Sequence, residues 1–236
     1  MTDALSTYRF DDGVAIVTLD DGKANAFSTA ALVRLEAHLD HADLDGAEAL
    51  VLVGRPGRFS AGFDLDEMTG SVSGMRGLVV RGAEFWMRLY GLGIPTVAAC
   101  TGHALAGGAL TLLSCDLRIG ADVPAKIGLN EVAIGLNLPK FAVELARDRL
   151  VRRSFVASTM GGRVYDAADA VKVGFLDRVV PEDELLATAV AEARALGELR
   201  TSAYAATKLN ARGELIEREL GRLVADVDTM ELPSRL

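Results

Sequence analysis

The chain has 236 residues, a net charge of −8, and an apolar content of 50% with 6% aromatics. This composition excludes a disordered or low-complexity chain and disfavours nonspecific nucleic-acid binding. No apolar run approaches the roughly 20 residues that span a bilayer, and the length fits one large core or two small domains.

Met1-Thr2-Asp3-Ala4 carries an acid early and no basic, apolar leader, so no secretory signal is expected. Cys100 and Cys115 lie in apolar segments without the spacing of a metal site or a disulfide framework. Buried reduced thiols in a cytoplasmic protein are the expectation.

Val14 to Leu19 is a β-branched, apolar run closed by Asp20-Asp21-Gly22, which predicts a strand and a turn. Ser28 is placed to cap a helix through Asp40, with Leu32, Leu35 and Leu39 at helical spacing, and His38 and His41 are expected on an exposed helix. Ala49 to Val53 predicts a second buried strand, followed by a loop over residues 54–58. Residues 69–74, rich in glycine and serine, predict a mobile loop before a helix from Met75 to Leu92.

Pro95 precedes a predicted strand Thr96 to Cys100; Ala109 to Leu113 reads as a buried helix and Asp116 to Ile119 as a strand. Pro139 opens a helix toward Leu150, and Asp166 caps a short helix that stops at Gly174. Phe175 to Val180 returns as a strand, and from Pro181 onward the chain is mainly helical. Strands followed by a helix, repeated, suggest stacked turns around a shared core, with the late helices as a candidate for subunit packing.

Phe59-Ser60-Ala61-Gly62-Phe63-Asp64 and Ala106-Gly107-Gly108 are glycine-marked turns beside helix starts. Such turns can aim two backbone amides at one developing oxyanion, because glycine permits close approach and initial helical amides lack internal partners. Gly128-Leu129-Asn130-Glu131 adds a carboxylate in apolar surroundings, where it can serve as a base. No His and acid pair has metal-ligand spacing, and the absence of a Gly-x-Ser-x-Gly elbow makes Ser60 a poor nucleophile. His103 reads as structural or as a pocket wall, and Asp64 and Asp116 read as cap or turn residues.

In order and spacing, Asn25-Ala26-Phe27, residues 58–65, residues 102–108 and Cys115-Asp116-Leu117-Arg118 resemble the crotonase (enoyl-CoA hydratase/isomerase) family over nearly the whole chain. The resemblance implies an α/β spiral of strand-strand-helix turns over 1–180 and a helical oligomerisation region over 181–236, assembling as trimers or pairs of trimers. It also implies that the amides of Phe63 and Gly107 hold a thioester oxygen and that Glu131 is the catalytic acid/base.

Lys23, Ala24, Ser60, Ala61 and Gly62 would border the coenzyme A portion of an acyl-CoA substrate. Asp64, Leu110, Asn130 and Ile134 would complete the binding site. No cofactor beyond that coenzyme A, no metal, no nucleic acid and no membrane is implied.

Family hydratases carry a second glutamate where this chain has Leu110. Adding water needs groups to activate the water and handle the proton at C2, so a lone Glu131 suits moving a double bond from C3 to C2. The segments around residues 106–110 and 128–131 resemble 3,2-enoyl-CoA isomerases. The alternatives are a hydratase, with Asp66-Glu67 as the nearby source of a second acid, and a noncatalytic acyl-CoA binder.

Val132, Ile134, Leu110 and Leu138 are expected to desolvate Glu131 and raise its pKa toward neutrality. Phe63, Met68, Leu110 and Phe141 are candidates for an acyl tunnel. Arg55, Arg58, Lys140 and Lys208 are either phosphate neighbours or solvated surface charge.

Overall fold

The computed structural model describes residues 5–232, so the N-terminal residues that bear on a leader, and residues 233–236 of the C-terminal region, lie outside it. The chain opens with an antiparallel pair, β1 (Ser6–Asp11) and β2 (Val14–Leu19), then short β3 (Ala26–Phe27) and helix α1 (Thr29–Leu44). The second turn is β4 (Ala49–Gly54), β5 (Gly57–Ser60), β6 (Gly62–Phe63), α2 (Leu65–Gly70) and α3 (Val72–Gly91). The third is β7 (Thr96–Cys100), β8 (Gly102–Leu105) and α4 (Gly107–Ser114).

A fourth turn follows with β9 (Leu117–Ala121), β10 (Ile127–Gly128) and α5 (Lys140–Arg149). Then come α6 (Phe155–Ser158), α7 (Ala167–Val173), β11 (Arg178–Val180), α8 (Leu185–Gly197) and α9 (Thr201–Val227). Successive turns stack strand on strand. The main sheet runs β1-β2-β4-β7-β9-β11, parallel after its first pair; a second sheet runs β10-β8-β5, and β3 pairs with β6.

Strands β2, β4 and β7 read as unbroken apolar runs because both faces of the main sheet are covered. Ala15, Val17, Leu50 and Leu52 face the inner core with α1 and α3, while Val14, Ile16, Val51 and Val97 face Leu185, Ala189 and Ala193 of α8. Helix α9 packs on α3 and α5, so both late helices sit on the spiral body of their own chain. Among the described residues no helix is long and apolar enough to cross a membrane.

Several elements differ from expectation. Residues 69–74 form no mobile loop: Ser71 alone separates α2 from α3, and its hydroxyl caps α3 by accepting from the Gly74 amide at 3.0 Å. Gly57 and Arg58 belong to β5 rather than to a loop over 54–58, because they pair with Gly102 and His103 of β8. His38 is buried, not exposed: β1 covers it, Ser6 Oγ lies 3.1 Å from its Nε2, and its ring stacks on Tyr8.

Candidate active site

The first glycine turn joins β5 to α2. The buried Ser60 hydroxyl accepts from the Gly62 amide at 3.1 Å, fixing the turn from within. Gly62 has φ +95, and a Cβ there would stand 2.8 Å from Ala106 Cβ and 3.2 Å from the Gly107 nitrogen. The second turn therefore lies directly against the first.

Gly107 begins α4, so its amide has no acceptor within its own helix. Its carbonyl accepts from Thr111 Oγ1, which in turn accepts from Trp86 Nε1, and a Cβ on Gly107 would meet Trp86 at 2.8 Å. A Cβ on Gly108 would stand 2.4 Å from the Ser60 carbonyl oxygen. Only residues without side chains let the two turns approach this closely. Ala106 between them has φ +48 and ψ −115, a strained conformation for a residue with a Cβ.

The segment carrying Glu131 is joined to the second turn by backbone. Strand β10 pairs with β8, and the Ala106 amide donates to the Gly128 carbonyl at 3.0 Å. Past Gly128 the chain turns through a single 3-10 turn, Val132–Ile134, whose Ile134 amide donates back to the Glu131 carbonyl at 3.0 Å. This turns the Glu131 side chain inward.

Glu131 lines a cavity of about 80 Å³ together with Ala61, Phe63, Ala106, Leu110 and Asn130. Met68, Val79, Phe141 and Met230 also line it. Glu131 Oε2 is buried without a protein partner, and burial pushes the carboxyl up to about 7, against a small downward pull from its own backbone. Asn130 Oδ1 is likewise buried without a partner. An apolar wall around an unpartnered carboxyl suits proton transfer.

The groups that desolvate Glu131 differ in part from those expected. Leu110 and Ile134 line the cavity, but Val132 is 43% exposed, and Leu136 rather than Leu138 takes the remaining place. All four tunnel candidates, Phe63, Met68, Leu110 and Phe141, lie on the cavity wall. Met230 joins them from 99 residues beyond Glu131 in sequence (230 minus 131), and no local pattern marks it.

The remaining residues hold the turns from outside. The Ala24 carbonyl accepts from the Ala61 amide at 3.0 Å, and the Lys23 carbonyl accepts from Arg55 Nη1 at 2.7 Å, so this segment rests on the first turn with the Lys23 side chain exposed. Buried Asn25, missed as a site residue despite its place in the motif, donates to the carbonyls of Leu19, Arg58 and Phe59 and locks the same loop. Asp64 lies off the cavity wall and caps α2 by accepting from the Glu67 amide. His103 accepts from the Lys126 amide, also away from the cavity.

Three charged residues take roles other than those expected. Asp116 is no simple turn residue: its side chain is only 10% exposed and accepts from Thr96, Lys208 and Arg212. Lys208 is accordingly neither a phosphate neighbour nor solvated charge, being buried with donors on Asp116 and on the carbonyls of Leu92 and Ile94. Glu67 cannot supply a second acid, since its carboxylate accepts from the Thr29 amide and hydroxyl at the start of α1. Lys140 pairs with Asp226, and Arg58 remains exposed.

Stacked strand-strand-helix turns closing on two apposed glycine turns and a buried carboxylate define a protein of the crotonase fold. A family model described as enoyl-CoA hydratase/isomerase matches residues 9–231. The structure of an enoyl-CoA hydratase/isomerase family protein from Pseudomonas syringae superposes with a TM-score of 0.93 at 40% identity, covering 96% of this chain and 98% of that one.

Human mitochondrial enoyl-CoA delta isomerase 1 is 35% identical over 75% of this chain, a match that spans 60% of the human protein's length. A probable enoyl-CoA hydratase of Mycobacterium bovis is 33% identical over 82% of this chain and 75% of its own. The chain belongs to the enoyl-CoA hydratase/isomerase family.

Proposed function

We propose that the protein shifts the double bond of a 3-enoyl-CoA from C3 to C2, with acyl-CoA as its substrate and no cofactor beyond the coenzyme A that substrate carries. The observation that carries this reading is that Glu131 is the sole acid among the described residues lining the cavity, with Leu110 on the same wall. The Phe63 and Gly107 amides hold the thioester oxygen. Glu131 takes a proton from C2, the electron pair delocalises onto that oxygen as a dienolate, and the same carboxyl returns the proton at C4 as the C2–C3 double bond forms.

A carboxyl poised at about 7 suits both directions of this transfer. The amides lower the barrier by stabilising the charge that develops on oxygen, each by roughly 3 kcal/mol when well aligned. The human isomerase relative supports the reading, while the mycobacterial hydratase relative favours water addition. Hydration, however, calls for a second acid, and Glu67 is committed to Thr29.

Offering the protein 3-hexenoyl-CoA and crotonyl-CoA side by side separates these readings. Appearance of conjugated 2-hexenoyl-CoA with slow loss of crotonyl-CoA supports isomerisation. Rapid hydration of crotonyl-CoA would replace it, and binding without proton exchange at C2 in deuterated water would favour a noncatalytic binder. Sedimentation of the same preparation tests the trimer that the resemblance implies.

A further inference from the structure

The segment that follows α9 folds back over the cavity. Met230 is 6% exposed, packs into the main core and lines the same cavity as Glu131. Its carbonyl accepts from both Arg76 Nε at 3.1 Å and Arg76 Nη2 at 2.9 Å, and Arg76 Nη1 lies 3.7 Å from Asp228. A guanidinium from α3 thus clasps the segment on either side of Thr229, leaving the Met230 side chain packed inward.

Helix α3 gives the cavity its scale. Trp86 abuts Gly107, Gly82 receives the Phe63 ring, Val79 lines the wall, and Arg76 holds Met230. At 1.5 Å per residue the clasp lies about 15 Å along the helix from the turn that presents the Gly107 amide. Met230 therefore stands at the end of the cavity away from the Gly107 turn, where the tail of an acyl chain would arrive, and the cavity, of about 80 Å³, is narrow.

We propose that Met230, clasped over the far end of the cavity by Arg76, determines the length of acyl chain this site accepts and restricts it to short-chain acyl-CoA. This rests on the acyl-CoA reading of the site. The thioether is a flexible apolar stop, so a longer chain must displace it and the clasped segment behind it. Truncation to alanine removes the stop beyond Cβ and makes room for about three more carbons, each worth about fourfold in binding when buried.

The test compares 3-hexenoyl-CoA with 3-decenoyl-CoA as substrates of the full chain. Met230→Ala is expected to raise the ratio of kcat/KM for decenoyl over hexenoyl by about 50-fold relative to wild type. Met230→Phe, which fills the end further, lowers the same ratio, so the proposal stays testable if the truncated variant does not fold. A ratio that neither variant moves beyond about twofold, less than one buried methylene supplies, overturns it.

Calorimetric binding of the saturated hexanoyl- and decanoyl-CoA pair keeps this separate from the reaction assigned above. If wild type isomerises nothing yet Met230→Ala shifts the binding ratio, the isomerase reading fails and the length stop stands. If isomerisation proceeds and both ratios are unmoved, the length stop fails alone.

Discussion

The amide of Ala106 donates to the carbonyl of Gly128 at 3.0 Å, which pins the strand leading to Glu131 onto the turn that presents the Gly107 amide. The proposed base and the proposed oxyanion donor are thereby joined through adjoining backbone. Gly128 has φ +155, and a Cβ there would stand 2.8 Å from the Arg163 carbonyl oxygen.

Gly128→Ala is therefore expected to push β10 away from the Arg163–Tyr165 segment that borders it opposite β8, and to move Glu131 with it. Urea unfolding should show a loss of about 1–3 kcal/mol, and turnover should fall further than acyl-CoA binding. Equal losses in turnover and binding would mean that the pin does not set the position of the base.

Glu131→Gln should reduce isomerisation by at least about 100-fold while acyl-CoA binding is retained. In wild type, kcat/KM should rise as pH increases through about 7, because the ionised carboxylate is the base. Stability runs the other way. The folded-state pKa is raised above the ordinary 4.5, so the folded chain binds the extra proton between those values and wild type loses stability as pH rises from 4.5 to about 7.

The cost at neutral pH and above is roughly 3 kcal/mol, since each pH unit separating the folded and unfolded pKa is worth about 1.36 kcal/mol. Glu131→Gln should therefore melt higher than wild type above about pH 7 and match it below about 4.5. Calorimetric melts across that range measure the crossover.

Gly108→Ala probes the approach of the two turns. Gly108 has helical backbone and no special φ, so its substitution carries no conformational strain of its own, yet the added methyl would stand 2.4 Å from the Ser60 carbonyl. A backbone atom cannot rotate away. The turns must separate, and kcat should fall by about 100-fold or more, as for loss of one oxyanion donor. Single-turnover kinetics with 3-hexenoyl-CoA reads that loss apart from binding.

Much of this frame is legible in the amino-acid order. Unbroken runs such as Val14 to Leu19 and Thr96 to Cys100 announce strands buried on both faces, and Ser28, Asp166 and Gly174 bound their helices as their chemistry dictates. Strand β1 escapes notice because it lies at the sheet edge with Thr7, Arg9 and Phe10 exposed and no unbroken apolar run to mark it, and with it goes the burial of His38. The glycine and serine content of residues 69–74 suggests slack, but Ser71 spends its hydroxyl on a cap.

At the site, Glu131 and the glycine turns are marked locally. The contributions of Met230 and Lys208 are not, since each depends on a late segment folding back over a long stretch of chain to meet Arg76 or Asp116.

Asp116→Asn tests that return. Burial pushes the Asp116 carboxyl up, but Lys208 and Arg212 together pull it below its ordinary 3.8. Its contribution is thus fully present above that value and is lost as pH falls through the lower folded-state pKa. Leaving Lys208 and Arg212 without their counter-charge should cost about 3–5 kcal/mol in urea unfolding near neutral pH. The gap between variant and wild type should narrow under strongly acidic conditions.

Ala106 sits uphill on its own backbone surface, kept there by its bond to Gly128 and by the packing of Gly62 beneath it. A turn loaded in this way relaxes as soon as its restraints slacken, well before the sheets part. On gradual warming, catalysis should fade while circular dichroism still reports an intact molecule, and cooling should bring it back.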